Sequence, residues 1–154
     1  MGRRVMVVET VLRSGGSDAA VAKRDATAAE AARPLSQQHV QIVLVCKDDR
    51  KIAGVATDSD ILRAVARCTG REAACCLRVS DLMTRDVVTC HRDDRLDDAV
   101  TMMLSRQLRR IPVVERDGAI AGLITMREAL LHLYEEAKLD EALLKEYFLG
   151  IGYH

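Results

Sequence analysis

The sequence predicts an α/β (α+β) fold, two pseudo-symmetric β-α-β-β-α repeats packed as one module and followed by a C-terminal helix. Three observations predict it. A constant offset of 68 positions carries Gly54-Val55-Ala56-Thr57-Asp58-Ser59-Asp60 onto Gly122-Leu123-Ile124-Thr125-Met126-Arg127-Glu128. The same offset carries Arg24-Asp25 onto Arg92-Asp93, Val45 onto Val113, Asp49 onto Asp117 and Ile52-Ala53 onto Ile120-Ala121, without a gap. The second observation is the order inside each copy, where short β-branched runs alternate with amphipathic stretches. The third is composition: 49% of the 154 residues are hydrophobic but only 3% are aromatic, so the core must be aliphatic. A long period that occurs only twice does not suit a solenoid, whose units need neighbours on both faces. It suits two small units that share a core.

Each element follows in order. Val5–Val8 reads as a short strand and Ser14-Gly15-Gly16-Ser17 as a loop. Thr27 with Glu30 forms a capping-box pattern that opens a helix reaching about Gln38, ended or kinked by Pro34. Gln41–Cys46 and Lys51–Ala56 read as buried strands around the charged turn Lys47-Asp48-Asp49-Arg50. Thr57 or Asp58 caps a helix to about Cys68. In the second copy Ser80–Thr84 reads as a helical turn, Val87–Cys90 as a strand and Asp94–Leu108 as an amphipathic helix. Arg110–Val114 is a strand with Pro112 near its start, Ile120–Ile124 is the next, and Thr125 opens the last helix. The expected organisation is repeat 10–68, connector 69–78, repeat 79–135 and a helical tail 136–154. Leu131, Tyr134, Leu139, Leu143, Leu144 and Tyr147 keep helical spacing in that tail. They form a stripe that packs on its own domain or makes a dimer contact.

Composition also excludes. The formal net charge is +0, so no global field draws nucleic acid or an anionic membrane. No apolar run approaches the roughly 20 residues that span a bilayer, and Glu9 and Arg13 interrupt the apolar start, so a cytoplasmic location is expected. Cys46 and Cys90 read as small core residues, while Cys68, Cys75 and Cys76 lack metal-ligand spacing. His39, His91, His132 and His154 are scattered without a nucleophile at motif spacing, so no catalytic residue is assigned. Arg106, Arg109, Arg110 and Arg127 make a basic patch without the aromatic platform that single-strand binding needs.

Val79-Ser80-Asp81-Leu82-Met83-Thr84, Leu96–Val100, Arg109–Val114 and Gly122–Thr125 together resemble the cystathionine-β-synthase (CBS) domain. Thr27–Ala32 and Gly54–Asp60 repeat the pattern in the first copy, whose opening segment is degenerate. The resemblance covers about residues 10–135. It implies a pseudo-symmetric module with two clefts that dimerises into a disc. It further implies an adenosine ligand, with AMP foremost and ADP, ATP, NAD(H) or S-adenosylmethionine as alternatives. No metal is implied. A chain made of the pair looks like a stand-alone bacterial regulatory protein acting on an unknown protein partner.

Thr57 and Asp60 stand at a strand-to-helix junction, where unpaired first-turn amides attract anions. Asp60 can accept from a ribose diol. The resemblance implies that each acid is completed by the other repeat. On that mapping Val55, Thr57, Asp58 and Asp60 work with Val88 at the base and with Arg109 and Arg110 at the phosphate, and Arg127 adds charge. The other cleft would hold Thr125 and Glu128 with Ala20, Gln41 and Ile42. It would lack the cation pair and be the weaker site. Against this stands an ordinary capped helix start in which Asp60 only offsets the dipole. A ligand-free dimer scaffold and a nucleic-acid adaptor are the competing functions.

Overall fold

The computed structural model describes residues 5–15, 19–37, 40–67 and 77–152, with side chains up to 146 apart from 143 and 144. Cys68, Cys75 and Cys76, which lack metal-ligand spacing, lie outside the described residues, as do His39, His154 and most of the connector 69–78.

The elements run α1 (Val8–Arg13), β1 (Ala20–Lys23), α2 (Ala28–Ser36), β2 (Ile42–Cys46), β3 (Ile52–Thr57), α3 (Asp58–Arg67), α4 (Val79–Leu82), β4 (Cys90–His91), α5 (Leu96–Ser105), β5 (Arg110–Val114), β6 (Ile120–Thr125) and α6 (Met126–Gly152). They make two sheets, β1-β2-β3 and β4-β5-β6, each with one parallel and one antiparallel pairing. The offset of the sequence holds in the register. Ile42 faces Thr57 as Arg110 faces Thr125, and the ladder slips between Val45 and Cys46 as it does between Val113 and Val114.

The sheets meet around a local two-fold axis. The Ile52 N–H donates to the Gly118 carbonyl and the Ile120 N–H to the Arg50 carbonyl, each at 3.1 Å. Ile42, Leu44 and Leu123 are buried together there, with Val55 and Ile120 against them. Behind β4-β5-β6 lies the larger core, built on Val8, Val11, Leu96, Met103, Ile111 and Ile124. Cys46 and Cys90 are buried core thiols.

Several expectations are corrected. Residues Val5–Val8 are not a strand: Val7 makes a single bridge to Arg95 and the helix α1 begins at Val8. The reason is docking onto the second repeat, where the Val8 and Glu9 N–H groups donate to the Asp94 and Arg92 carbonyls at 2.9 Å. In the same way the Val79 and Ser80 N–H groups donate to the Ala26 and Arg24 carbonyls of the first repeat, at 2.8 and 3.3 Å. The opening helices are therefore exchanged, so α1 completes the second unit and α4 the first. Of the expected strand Val87–Cys90 only Cys90 belongs to β4, which is displaced to Cys90–His91 and meets β5 only at Cys90↔Val113 and His91↔Val114. The helix opened at Thr125 continues into the tail, α6 running unbroken for 27 residues. The capping box at Thr27 and Glu30 is present, with bonds of 3.0 and 3.1 Å, and α2 ends at Ser36, two residues past Pro34.

Candidate functional site

The site forms where the heads of β2 and β5 face the start of α6. Arg110 opens β5 opposite Thr125, and the Arg109 carbonyl accepts the Met126 N–H at 2.8 Å. Thr125 and Glu128 close a capping box: the Thr125 N–H donates to Glu128 Oε2 and the Glu128 N–H to Thr125 Oγ1, both at 3.1 Å. Helix α6 thus begins at a fixed point with its first-turn amides aimed outward. Arg127, one residue before Glu128, lies in that exposed first turn. Gln41 and Ile42 arrive from the other sheet. Together these residues border a cavity of about 950 Å³, with Leu123, Leu131 and Tyr134 among its apolar wall. Its volume falls in the usual range of small-molecule sites. Three guanidinium groups and one carboxylate face it, so the local field favours an anion.

The first-repeat motif has the same local form and another setting. The Thr57 N–H and Oγ1–H both donate to Asp60 Oδ2, at 2.9 and 3.1 Å. Asp60 borders a smaller recess, about 380 Å³, with Arg63, Arg67, Leu82 and Asp81. Asp58 is exposed and its carboxylate accepts the Ser59 N–H at 2.8 Å. Val55 exchanges backbone hydrogen bonds with Thr84 at 3.0 and 2.8 Å, which seals that strand edge. Val88 packs against the second-repeat core, and Ala20 pairs with Val43 in β1.

The expected grouping is corrected accordingly. Arg109, Arg110 and Arg127 share a cavity with Thr125, Glu128 and Gln41, while Asp60 faces a different one. The cause is register, since antiparallel pairing of β5 and β6 brings the head of β5 to the foot of β6, where α6 starts. The cation pair therefore belongs with the acid of its own repeat. The sequence reading also missed the wall residues Leu130, Leu131 and Tyr134. Their signal was the helical stripe, read there as domain packing or a dimer contact.

Elsewhere, burial and then the charge of Asp94 push the Cys90 thiol up to about 12, so it stays protonated. Among the described residues no group of three His, Cys, Asp or Glu side chains gathers as a metal site. Among them, too, no helix is long and apolar enough to cross a membrane.

The sequence profile of the CBS domain matches residues 15–67 and 79–135. The chain is 27% identical over 108 residues, 70% of its length, to an uncharacterized 17.7 kDa protein of Acidianus ambivalens, and spans 63% of that protein. Among solved structures it is similar to the CBS-domain containing protein ATU1752 from Agrobacterium tumefaciens, with TM-score 0.67 and 29% identity over 82% of this chain and 98% of that one. It also superposes on CBSX2 in complex with AMP, with TM-score 0.68 and 23% identity over 84% and 96% of the two chains.

Proposed function

The chain belongs to the CBS-domain family, and from that premise we propose that it binds an adenosine nucleotide in the cavity of Arg110 and Glu128 as a non-catalytic regulatory module. One observation carries the reading: the cations, the capped helix start and an apolar wall converge on a single cavity of about 950 Å³. Each part of the ligand has a counterpart there. Arg109, Arg110 and Arg127 meet the phosphate as forked, charge-assisted donors. The first-turn amides of α6 add to the same anion field. The Glu128 carboxylate accepts from the ribose diol. Ile42, Leu123 and Leu131 line a slot for the base. The AMP bound to CBSX2 supports the ligand class, and AMP is preferred here over ADP, ATP, NAD(H) or S-adenosylmethionine. The Asp60 recess is the weaker site.

Calorimetry of the full chain with AMP tests this. One site per chain is expected, and Arg110→Ala weakens it about tenfold or more through loss of a charge-assisted bond. Adenosine without phosphate binds more weakly still. Absence of heat with every adenosine compound would leave the scaffold reading in its place, and AMP binding indifferent to Arg110→Ala would overturn the assignment to this cavity.

A further inference from the structure

The two repeats carry recesses at equivalent positions, and the chemistry of the two is opposite. The second-repeat recess, about 480 Å³, is bordered by Arg92, Asp93, Glu115 and Arg116. Its cations are neutralised internally. Arg92 Nε donates to Glu115 Oε1 at 2.6 Å, Arg92 Nη1 lies 3.9 Å from Glu9, and Arg116 Nη2 lies 2.8 Å from Asp93. The first-repeat recess, about 520 Å³, is bordered by Arg24, Lys47, Arg78 and Arg85, with Asp25 as an acid on its rim.

The backbone frames correspond bond for bond. The Ser80 N–H donates to the Arg24 carbonyl at 3.3 Å as the Glu9 N–H does to Arg92 at 2.9 Å. The Lys47 N–H donates to the Lys51 carbonyl at 2.9 Å as the Glu115 N–H does to Ala119 at 2.8 Å. Lys47 therefore stands in the place of Glu115, and Ser80 in the place of Glu9. Both acids that neutralise Arg92 are absent around Arg24, and one has become a cation. Among the described residues Arg24, Lys47, Arg78 and Arg85 make no ion pair. Arg85 is nonetheless held in place, its Nη2–H donating to the Ser80 carbonyl at 3.2 Å.

We propose that this first-repeat recess is a second anion site, separate from the Glu128 cavity, that takes the phosphoryl groups of a small oligophosphate. Cations from four segments converge on one open recess. A lone phosphate would engage only part of that set, whereas linked phosphoryl groups reach across it.

The test uses the full chain carrying Arg110→Ala, which removes the main phosphate anchor, titrated with sodium tripolyphosphate by calorimetry at low salt. Saturable binding is expected. Adding Lys47→Glu, which installs the charge of the second repeat, should weaken it about fivefold or more, and Arg24→Gln should do the same. Lys47 is exposed, so an unchanged melting temperature checks that the variant is folded. No saturable binding, a loss smaller than fivefold in both variants, or binding of single-stranded RNA in preference to tripolyphosphate overturns the proposal.

Discussion

Asp60 and Glu128 close the same kind of capping box one offset apart, and what lies beyond the box differs. Glu128 looks onto about 950 Å³ with Arg109 and Arg110 across from it, while Asp60 looks onto about 380 Å³ with Asp81 among its neighbours. The packing behind them differs in the same sense. Behind its sheet the second repeat buries Leu96, Met103, Ile111 and Ile124, and the first buries Ala31, Val45, Ala56 and Val79, its larger Leu44 and Ile42 lying at the seam. A fully buried large aliphatic side chain contributes about 1.5–3 kcal/mol, so the second repeat is the better anchored half. Helix α3 has no fully buried residue at all, whereas α6 packs Ala129 into the core. Duplication has preserved the backbone path, down to a shared bulge, and left charge and packing to residues outside the motif.

The motif glycines break this comparison most sharply. A methyl group on Gly54 would lie 2.6 Å from Met83 Sδ and 2.7 Å from the Thr84 carbonyl oxygen. The carbonyl cannot retreat, because its residue is bonded to Val55 in both directions. On Gly122 the methyl would meet only Leu12 Cδ2, at 2.9 Å. Chemical denaturation should show Gly54→Ala costing about 2–3 kcal/mol through overpacking, and Gly122→Ala under about 1 kcal/mol. Equal losses would mean that the exchanged helices α1 and α4 do not hold their sheets as described.

A second comparison sets the two acids against each other. Removing either carboxylate opens a capping box and should lower stability by about 1 kcal/mol. Only Glu128→Ala should also weaken AMP, about tenfold, since its carboxylate serves the cavity that holds the guanidinium groups. Calorimetry on both variants, each checked by its melting curve, separates the effects. A larger affinity loss in Asp60→Ala than in Glu128→Ala would restore the pairing of Asp60 with Arg110.

These outcomes bear on what was legible in the sequence. The duplication, strands β2, β3, β5 and β6, the capping box at Thr27 and the buried cysteines were readable, because offset, β-branched runs and Thr-x-x-Glu spacing are local signals, whereas β1 (Ala20–Lys23) carries a single β-branched residue, Val21, and was missed. The exchange of α1 and α4 was not. It depends on backbone bonds between Val8 and Asp94 and between Val79 and Ala26, far apart in sequence. The grouping of the arginines failed for a related reason. Arg110 and Thr125 are neighbours through antiparallel register, and register is decided by the ladder and not by the motif. Lys47 and Ser80 show the same limit, since their meaning appears only beside Glu115 and Glu9.

The smallest effect lies at the seam between the repeats and isolates a backbone term. Arg50 and Gly118 occupy equivalent turn positions with φ of 65° and 90°. Both turns are braced alike, by the Lys51 N–H on Asp49 Oδ1 at 3.1 Å and the Ala119 N–H on Asp117 Oδ1 at 3.0 Å. A left-handed conformation costs an ordinary residue roughly 1–2 kcal/mol, partly offset in glycine by the greater freedom of its unfolded chain. Space is no obstacle at Gly118, where a methyl would find only Lys51 Cγ at 3.9 Å. Gly118→Ala should therefore lose about 1 kcal/mol through conformation alone, and Arg50→Gly should gain about 0.5–1 kcal/mol. For a chain of this size that is a shift of roughly 2–4 °C in opposite directions. Each turn carbonyl accepts a bond from the opposite repeat, so both shifts should appear in one shared unfolding transition. Two separate transitions, or a lower melting temperature for Arg50→Gly, would show that the repeats are not braced through these turns.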